Sequence, residues 1–509
     1  MLLSLLIIIP FFSGFISFFS FKFNKYISRY IALISLILTF LVFIKIWICV
    51  DFKIYQLDHY PHWNYELILP WIPRFGIEFH LAVDSFSIIM LFLTFFLGII
   101  AILCSWNEIK KNQGFFYFNV MLVLTGVIGI FIACDLFLFF FFWEIILVPM
   151  YFLISLWGNN KKDKKNSIHA ANKFFIYAQI SGLIMLMSIL LLVFSYYQKT
   201  HILTFNYNLL IFSSVNLYIQ YLVMFGLFVA FIIKMPIVPF HGWLLNFHCE
   251  SSYCGTVDII GALLKIAPYA MLRYSMTIFP NTIQKFAPIA MVLGLFSIFY
   301  GALLAFSQTN IKRLIAYASI SHMGLILVAI YSNSEIAFQG VVIQILSNSI
   351  STAALCIISG QIYKYFKTHN ILEMGGFWSN IYWIPAFSLF FALANLGLPG
   401  TGNFIGEFLI LFGIFKTYSI VSIFAVISIL FSSIYSLYMI QRIYYGPVKK
   451  NCSTLFPNIK EILILIILVL SLIFLGLMPQ KILNISQDTI SSIYYFQKEF
   501  INSILKIRL

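Results

Sequence analysis

Residues 224–243 read MFGLFVAFIIKMPIVPFHGW. The stretch is apolar enough to enter a bilayer, yet Lys234 sits in its middle, and Pro236 and Pro239 follow at once. A spanning helix needs about 20 apolar residues, and a charge near its centre costs roughly 2.5–3.5 kcal/mol on insertion scales. The prolines remove the donors that would serve the carbonyls of Ile232 and Met235. Unwound backbone at membrane depth is tolerated only where protein covers it or where it lines a wet cavity. The segment therefore predicts a discontinuous spanning helix that faces a hydrated interior.

The rest of the chain agrees. Of 509 residues, 62% are hydrophobic and 9% charged, against about 25% charged in soluble domains. So few charges exclude a water-soluble enzyme, a disordered chain and a nucleic-acid-binding domain. The net charge of +14 reads instead as loop charge facing anionic lipid. Apolar runs near 1–21, 27–50, 82–106, 115–134, 136–156, 168–196, 219–240, 254–274, 286–307, 312–330, 336–362, 382–415, 418–441 and 460–478 predict an all-α polytopic protein of about fourteen spans. The basic residues Lys22, Lys25 and Arg29 follow the first run, so residues 1–21 read as a span and not as a signal peptide. Loops after odd-numbered spans hold 17 basic residues, Lys312 among them, and those after even-numbered spans six, Arg273 among them. The first set belongs in the cytoplasm, which places both termini on the periplasmic side of a bacterial inner membrane.

Residues 1–509 form one integral membrane domain on this reading, with no soluble linker. Spans 1–3 occupy 1–114, including an outer loop at 51–80 whose Trp, Tyr, His and Pro content suggests an interfacial hairpin or belt. The last span and an amphipathic tail occupy 460–509. The twelfth run is also broken, by Pro399 with Gly397, Gly400 and Gly402, just before Glu407. Spans 7 and 12 are five apart. Inverted five-helix repeats, spans 4–8 (115–274) and 9–13 (286–441), fit that spacing, since paired broken helices mark repeats in transporters.

Five ionisable residues lie far from span ends: Glu144, Lys234, Lys265, His322 and Glu407. Such groups face a protein interior or a hydrated path and usually carry function. Both signs are present, so protonation depends on pair geometry: a close Glu144–Lys234 pair keeps both ionised, and separation lets Lys234 release its proton. Static ion pairs are the bland alternative, disfavoured because such pairs add little stability. His322 suits a buried hydrogen bond nearly as well as a relay. His241 and His248 flank HGWLLNFH at the cytoplasmic end of span 7 and read as proton-entry or headgroup-level residues; without a well-spaced third ligand no metal site is expected. Asp135, Asp258 and Glu335 lie at span edges, where ordinary solvation is expected. The seven cysteines include no CxxC, so no redox centre is expected in this chain.

The segments KMPIVPFHGWLLNFH (234–248), GALLKIAPY (261–269), IKRLIAYASISHMG (311–324) and LGLPGTGNFIGEFLIL (396–411) resemble the antiporter-like membrane subunits of bacterial NADH:quinone oxidoreductase, respiratory complex I. The likeness runs over essentially the whole chain, including WIPRFGIEFHLAVDSFS at 71–87. The last relay residue is typically Lys in L-type and N-type chains and Glu in the M-type, so Glu407 resembles the M-type pattern. The resemblance implies a relay in which Glu144 pairs with Lys234, Lys265 connects the two halves, His322 follows, and Glu407 is the terminal proton-binding group. It also implies L-type and N-type neighbours, with NADH, FMN, iron–sulfur clusters and quinone held by partner subunits and no cofactor here. Some positions depart from the family pattern: Asn348 stands where histidine is common, Asn246 replaces an acid, Ser252 and Tyr253 replace Ala and Pro, and Asn310 stands where Asp is frequent. Two readings compete with a proton-pumping subunit: a subunit of a multi-subunit cation/proton antiporter, and a membrane spacer that has lost pumping.

Overall fold

The computed structural model describes the chain except for residues 25, 50–62, 159–163, 214, 253–255, 257, 259–264, 381–382, 448–458 and 509, and the side chains of 380 and 499–508. Its main helices are α1 (Leu2–Ser20), α2 (Ile27–Cys49), α3 (Ser85–Ser105), α4 (Gln113–Ile132), α5 (Leu136–Ile145), α6 (Leu147–Trp157), α7 (Lys164–Thr200), α8 (Tyr207–Leu210), α9 (Leu217–Lys234) and α10 (Gly242–Glu250). There follow α11 (Ile266–Ala270), α12 (Pro280–Ser307), α13 (Ile311–Tyr331), α14 (Glu335–Phe366), α15 (Trp383–Asn395), α16 (Gly402–Thr417), α17 (Ser419–Tyr444), α18 (Ile459–Leu477) and α19 (Pro479–Arg508).

Among the described residues, twelve spans are long and apolar enough to cross a membrane. They match all the predicted spans but the eighth and the twelfth. Much of the eighth, 254–274, lies outside the described residues; its later part is α11 followed by a π-helical turn at Met271–Ser275. The twelfth is divided into α15 and α16. The sixth, α7, is one unbroken helix of 37 residues, about 55 Å at 1.5 Å per residue. That exceeds the roughly 30 Å hydrocarbon layer, so the helix tilts or projects rather than breaks.

The fifth span is interrupted as well, which the sequence reading did not anticipate. Its helix ends at Ile145, turns at Ile146 and resumes at Leu147. Pro149 explains this: it lacks an N–H for the carbonyl of Ile145 and its ring crowds that carbonyl. The interruption falls two residues after Glu144.

Burial is uneven. In α13 and α14 the membrane segments are 94% and 100% buried, whereas α1, α2 and α18 bury 39%, 33% and 28%. The first two are the axis of the molecule, and the last three present apolar side chains outward.

The outer loop carries an antiparallel hairpin, β1 (Tyr65–Ile72) and β2 (Ile77–Val83), with Ile68 opposite His80. Gly76, at φ 66°, turns the chain between them; its backbone lies so close to Leu203 that a side chain would collide with it. The hairpin expectation for 51–80 thus holds for its described part, and 51–62 lie outside it. Asp135 fastens the hairpin to α5: it accepts from Phe137 and Leu138 at the helix start and from the Glu78 N–H of β2. It is fully buried, not solvated as expected for a span edge, and burial pushes its carboxyl up to about 6 against the pull of those three N–H donors. The amphipathic α19 packs on its own chain, against α3, α12 and α14, where the Gln497 amide donates to the Met276 carbonyl. Lys364 of α14 joins Glu108, after α3, at 2.5 Å and Glu461 of α18 at 2.7 Å.

Candidate functional site

Lys234 is the last residue of α9, 3% exposed. The helix stops there because Pro236 and Pro239 cannot donate. The carbonyls this releases find other donors: Ile237 N–H bonds Ile232, and the Trp243 indole N–H bonds Ile233 at 2.9 Å. The break is therefore closed by protein on one side. On the other lies a cavity of about 40 Å³ lined by Lys234, Pro236, His248, Lys265, Ser319 and Thr352, among others. At about 10–15 Å³ per water, it has room for about three to four.

Lys265, at the start of α11, donates to Thr352 Oγ1 of α14 at 3.3 Å. The structure thus brings Lys234 and Lys265 to one cavity. Glu144 is less close to Lys234 than expected. Each is the charge that acts on the other, but no ion pair joins them: among the described residues neither Glu144 Oε1 nor Lys234 Nζ has a hydrogen-bond partner. The ammonium lies 5.0 Å from the Trp143 ring centre and 5.9 Å from that of Phe174, within reach of cation–π attraction.

Glu407 occupies the second half. It is 4% exposed and lies on α16, after the break that Gly397 (φ 84°) and Gly400 (φ 93°) shape. Its Oε1 lies 3.3 Å from His322 Nδ1 and accepts from Gln344 Nε2 at 3.4 Å. A Cβ on Gly397 would stand 2.8 Å from Glu407 Oε2, so the broken segment packs bare backbone against the carboxylate. His322 is thus paired with Glu407.

Gln344 and Thr352 were missed from sequence. With Asn348 they stand four residues apart on one face of α14, and that spacing was the available signal. Thr352 meets Lys265 and Gln344 meets Glu407. Between them Asn348 is fully buried, with neither amide atom partnered among the described residues.

Asp258 is 1% exposed, which corrects the expectation of ordinary solvation. It meets His248 Nδ1 at 2.8 Å and Lys312 Nζ at 3.2 Å. Lys312, counted above as loop charge, is itself 1% exposed and donates to the carbonyls of Ser251 and Ser252. His369, beside Lys312, is pushed down to about 3 by burial and then by that ammonium, and so stays neutral. His248 thus touches this network and the Lys234–Lys265 cavity together. His248, Asp258 and the Cys356 sulfur lie within 4.8 Å of one another. Lys312 holds the carboxylate they would share, which opposes a second cation there. His241 packs instead on Tyr300, ring centres 5.1 Å apart. Of the family departures, Asn310 caps α13 through Lys312 N–H and Arg313 N–H, as Asp would. Tyr253 lies outside the described residues.

Arg273, read above as an outer-loop charge, is fully buried. It pairs with Asp84 at 2.8 Å and lies 3.7 Å from the Trp63 ring centre. Asp84 also caps α3 through the Ser87 N–H.

Residues 133–432 match the family described as NADH:quinone oxidoreductase/Mrp antiporter, TM. A Buchnera aphidicola (subsp. Schizaphis graminum) protein named NADH-quinone oxidoreductase subunit M is 69% identical, covering 98% of this chain and 99% of its own. The Escherichia coli K12 protein of that name is 49% identical over 100% of both. Among solved structures, a chain of respiratory complex I from Thermus thermophilus has a TM-score of 0.84 at 24% identity, covering 98% of this chain and 99% of that one. A chain of the Mrp complex from Dietzia has a TM-score of 0.81 at 17% identity, covering 98% of this chain and 52% of that one. Broken helices around buried charges, on a fold shared with these chains, define an antiporter-like membrane subunit. Within that class, the chain belongs to the NADH-quinone oxidoreductase subunit M family.

Proposed function

We propose that this chain translocates protons as a membrane subunit of NADH-quinone oxidoreductase in a bacterial inner membrane. On this reading it works beside L-type and N-type antiporter-like neighbours, driven by quinone reduction elsewhere in the complex, and holds no redox group itself. Both termini face the periplasm, and the fold is fourteen spans with inverted repeats at spans 4–8 and 9–13. The observation that carries the reading is the succession of titratable and polar groups inside the bundle: Glu144, Lys234, the cavity shared with Lys265, then Thr352, Asn348, Gln344, and the His322–Glu407 pair. His248, bonded to the Asp258–Lys312 network and lining the same space, is the cytoplasmic entry group.

Moving one charge across 100 mV requires roughly 2.3 kcal/mol, so the neighbouring subunits must deliver at least that per proton. Complex bearing Glu144→Gln in liposomes is expected to lose most NADH-driven proton uptake; undiminished uptake and quinone reduction would reject the relay. Asn348→Leu removes the amide that holds water between Thr352 and Gln344. Losing one such hydrogen bond, about 1 kcal/mol, is expected to slow pumping roughly five- to tenfold, with Asn348→His at or above the parent rate. Equal rates in all three proteins would mean that the proton bypasses this position. The antiporter alternative shares the fold, but the full-length relatives at 45–69% identity are named as oxidoreductase subunits.

A further inference from the structure

Gly182 stands on α7 opposite the bend after Glu144. A Cβ built on it would overlap the Glu144 carboxylate, so Glu144 lies directly on bare backbone. Helix interiors disfavour glycine by roughly 1 kcal/mol relative to alanine, which leaves close approach as the physical reason for it here. The neighbouring Ser181 donates to the Ala230 carbonyl at 2.8 Å, one turn before Lys234, and so ties this part of α7 to the helix that carries the lysine. The same α7 supplies Phe174, which with Trp143 faces the ammonium. Each partner of the pair is thus held away from the other, Glu144 against Gly182 and Lys234 against two rings. The second half repeats the arrangement where Gly397 meets Glu407.

We infer that Gly182 is a positioning residue: its missing side chain is the resting place of the Glu144 carboxylate when the Glu144–Lys234 pair is open. This rests on the relay reading above. The contact explains how a charged pair inside a membrane stays apart without either partner losing its helix. In the open state Lys234 is available to the cavity, and in the closed state Glu144 leaves the glycine for the ammonium. A methyl group at 182 denies the open position and holds the carboxylate toward Lys234. The backbone need not move, because the colliding atoms are the far end of a flexible side chain.

The test uses assembled complex in liposomes, with NADH-driven proton uptake as the readout. Gly182→Ala is expected to assemble normally and to pump on the order of 10- to 100-fold more slowly, the scale of an ångström-sized misplacement of a reacting group. Glu144→Asp, shorter by one methylene, no longer reaches the methyl group, so Gly182→Ala combined with Glu144→Asp is expected to pump at the rate of Glu144→Asp alone. Parent-like pumping by Gly182→Ala overturns the inference. So does a double variant that falls further below Glu144→Asp, since the methyl would then act through helix packing and not through the carboxylate. Failure of the relay itself reads differently: Glu144→Gln would pump normally.

Discussion

Complex carrying Lys265→Met is expected to pump protons on the order of 100-fold more slowly than the parent. Lys265 is the titratable group that the described residues place between the Lys234 cavity and the α14 face. Methionine keeps the length and apolar stem but holds no proton. A charge passing that point must then cross on water alone at membrane depth. With a centre-of-helix charge costing about 3 kcal/mol, and 1.4 kcal/mol per factor of ten, the step slows by about two powers of ten. Lys234 and the His322–Glu407 pair keep their local contacts, so the complex should assemble. The check is proton uptake per NADH oxidised by reconstituted complex. Full stoichiometry in Lys265→Met would remove the link between the halves and with it the single-wire reading.

The second large effect concerns stability. Arg273→Met leaves Asp84 charged, buried and without its guanidinium. Breaking a buried pair from one side costs about 3–5 kcal/mol, enough to lower the yield and thermal midpoint of the assembled complex. Replacing both residues tests the cause. Arg273→Met with Asp84→Asn removes the stranded charge, while asparagine still caps α3 through the Ser87 N–H. Most of the lost stability should return. Pumping per assembled complex should match the parent in both variants, because neither residue lies on the proposed relay. A double variant no more stable than Arg273→Met would show that the loss comes from the Trp63 stack and not from the unpaired carboxylate.

The legible part of this protein was carried by features that act along the chain. Apolar runs announce spans, since length and hydrophobicity alone decide what enters lipid. Pro236, Pro239 and Pro399 announce broken helices through the donors they lack. Pro149 carried the same signal beside Glu144 and went unread, because its helix resumes after a single turn. Gln344 was legible in principle, four residues from Asn348, but neutral polar residues inside a span attract less notice than charges.

From sequence alone came the membrane class, the breaks in the seventh and twelfth spans and the five ionisable residues within spans, because hydropathy and backbone donors are local properties. Tertiary structure alone decided who meets whom. Asp258 and Lys312 are interior, Arg273 finds Asp84 nearly 190 positions away, and Glu144 rests on Gly182 instead of Lys234. A side chain's partner depends on how helices pack, and whether a charge is solvated or paired follows from that packing, not from its distance to the end of an apolar run.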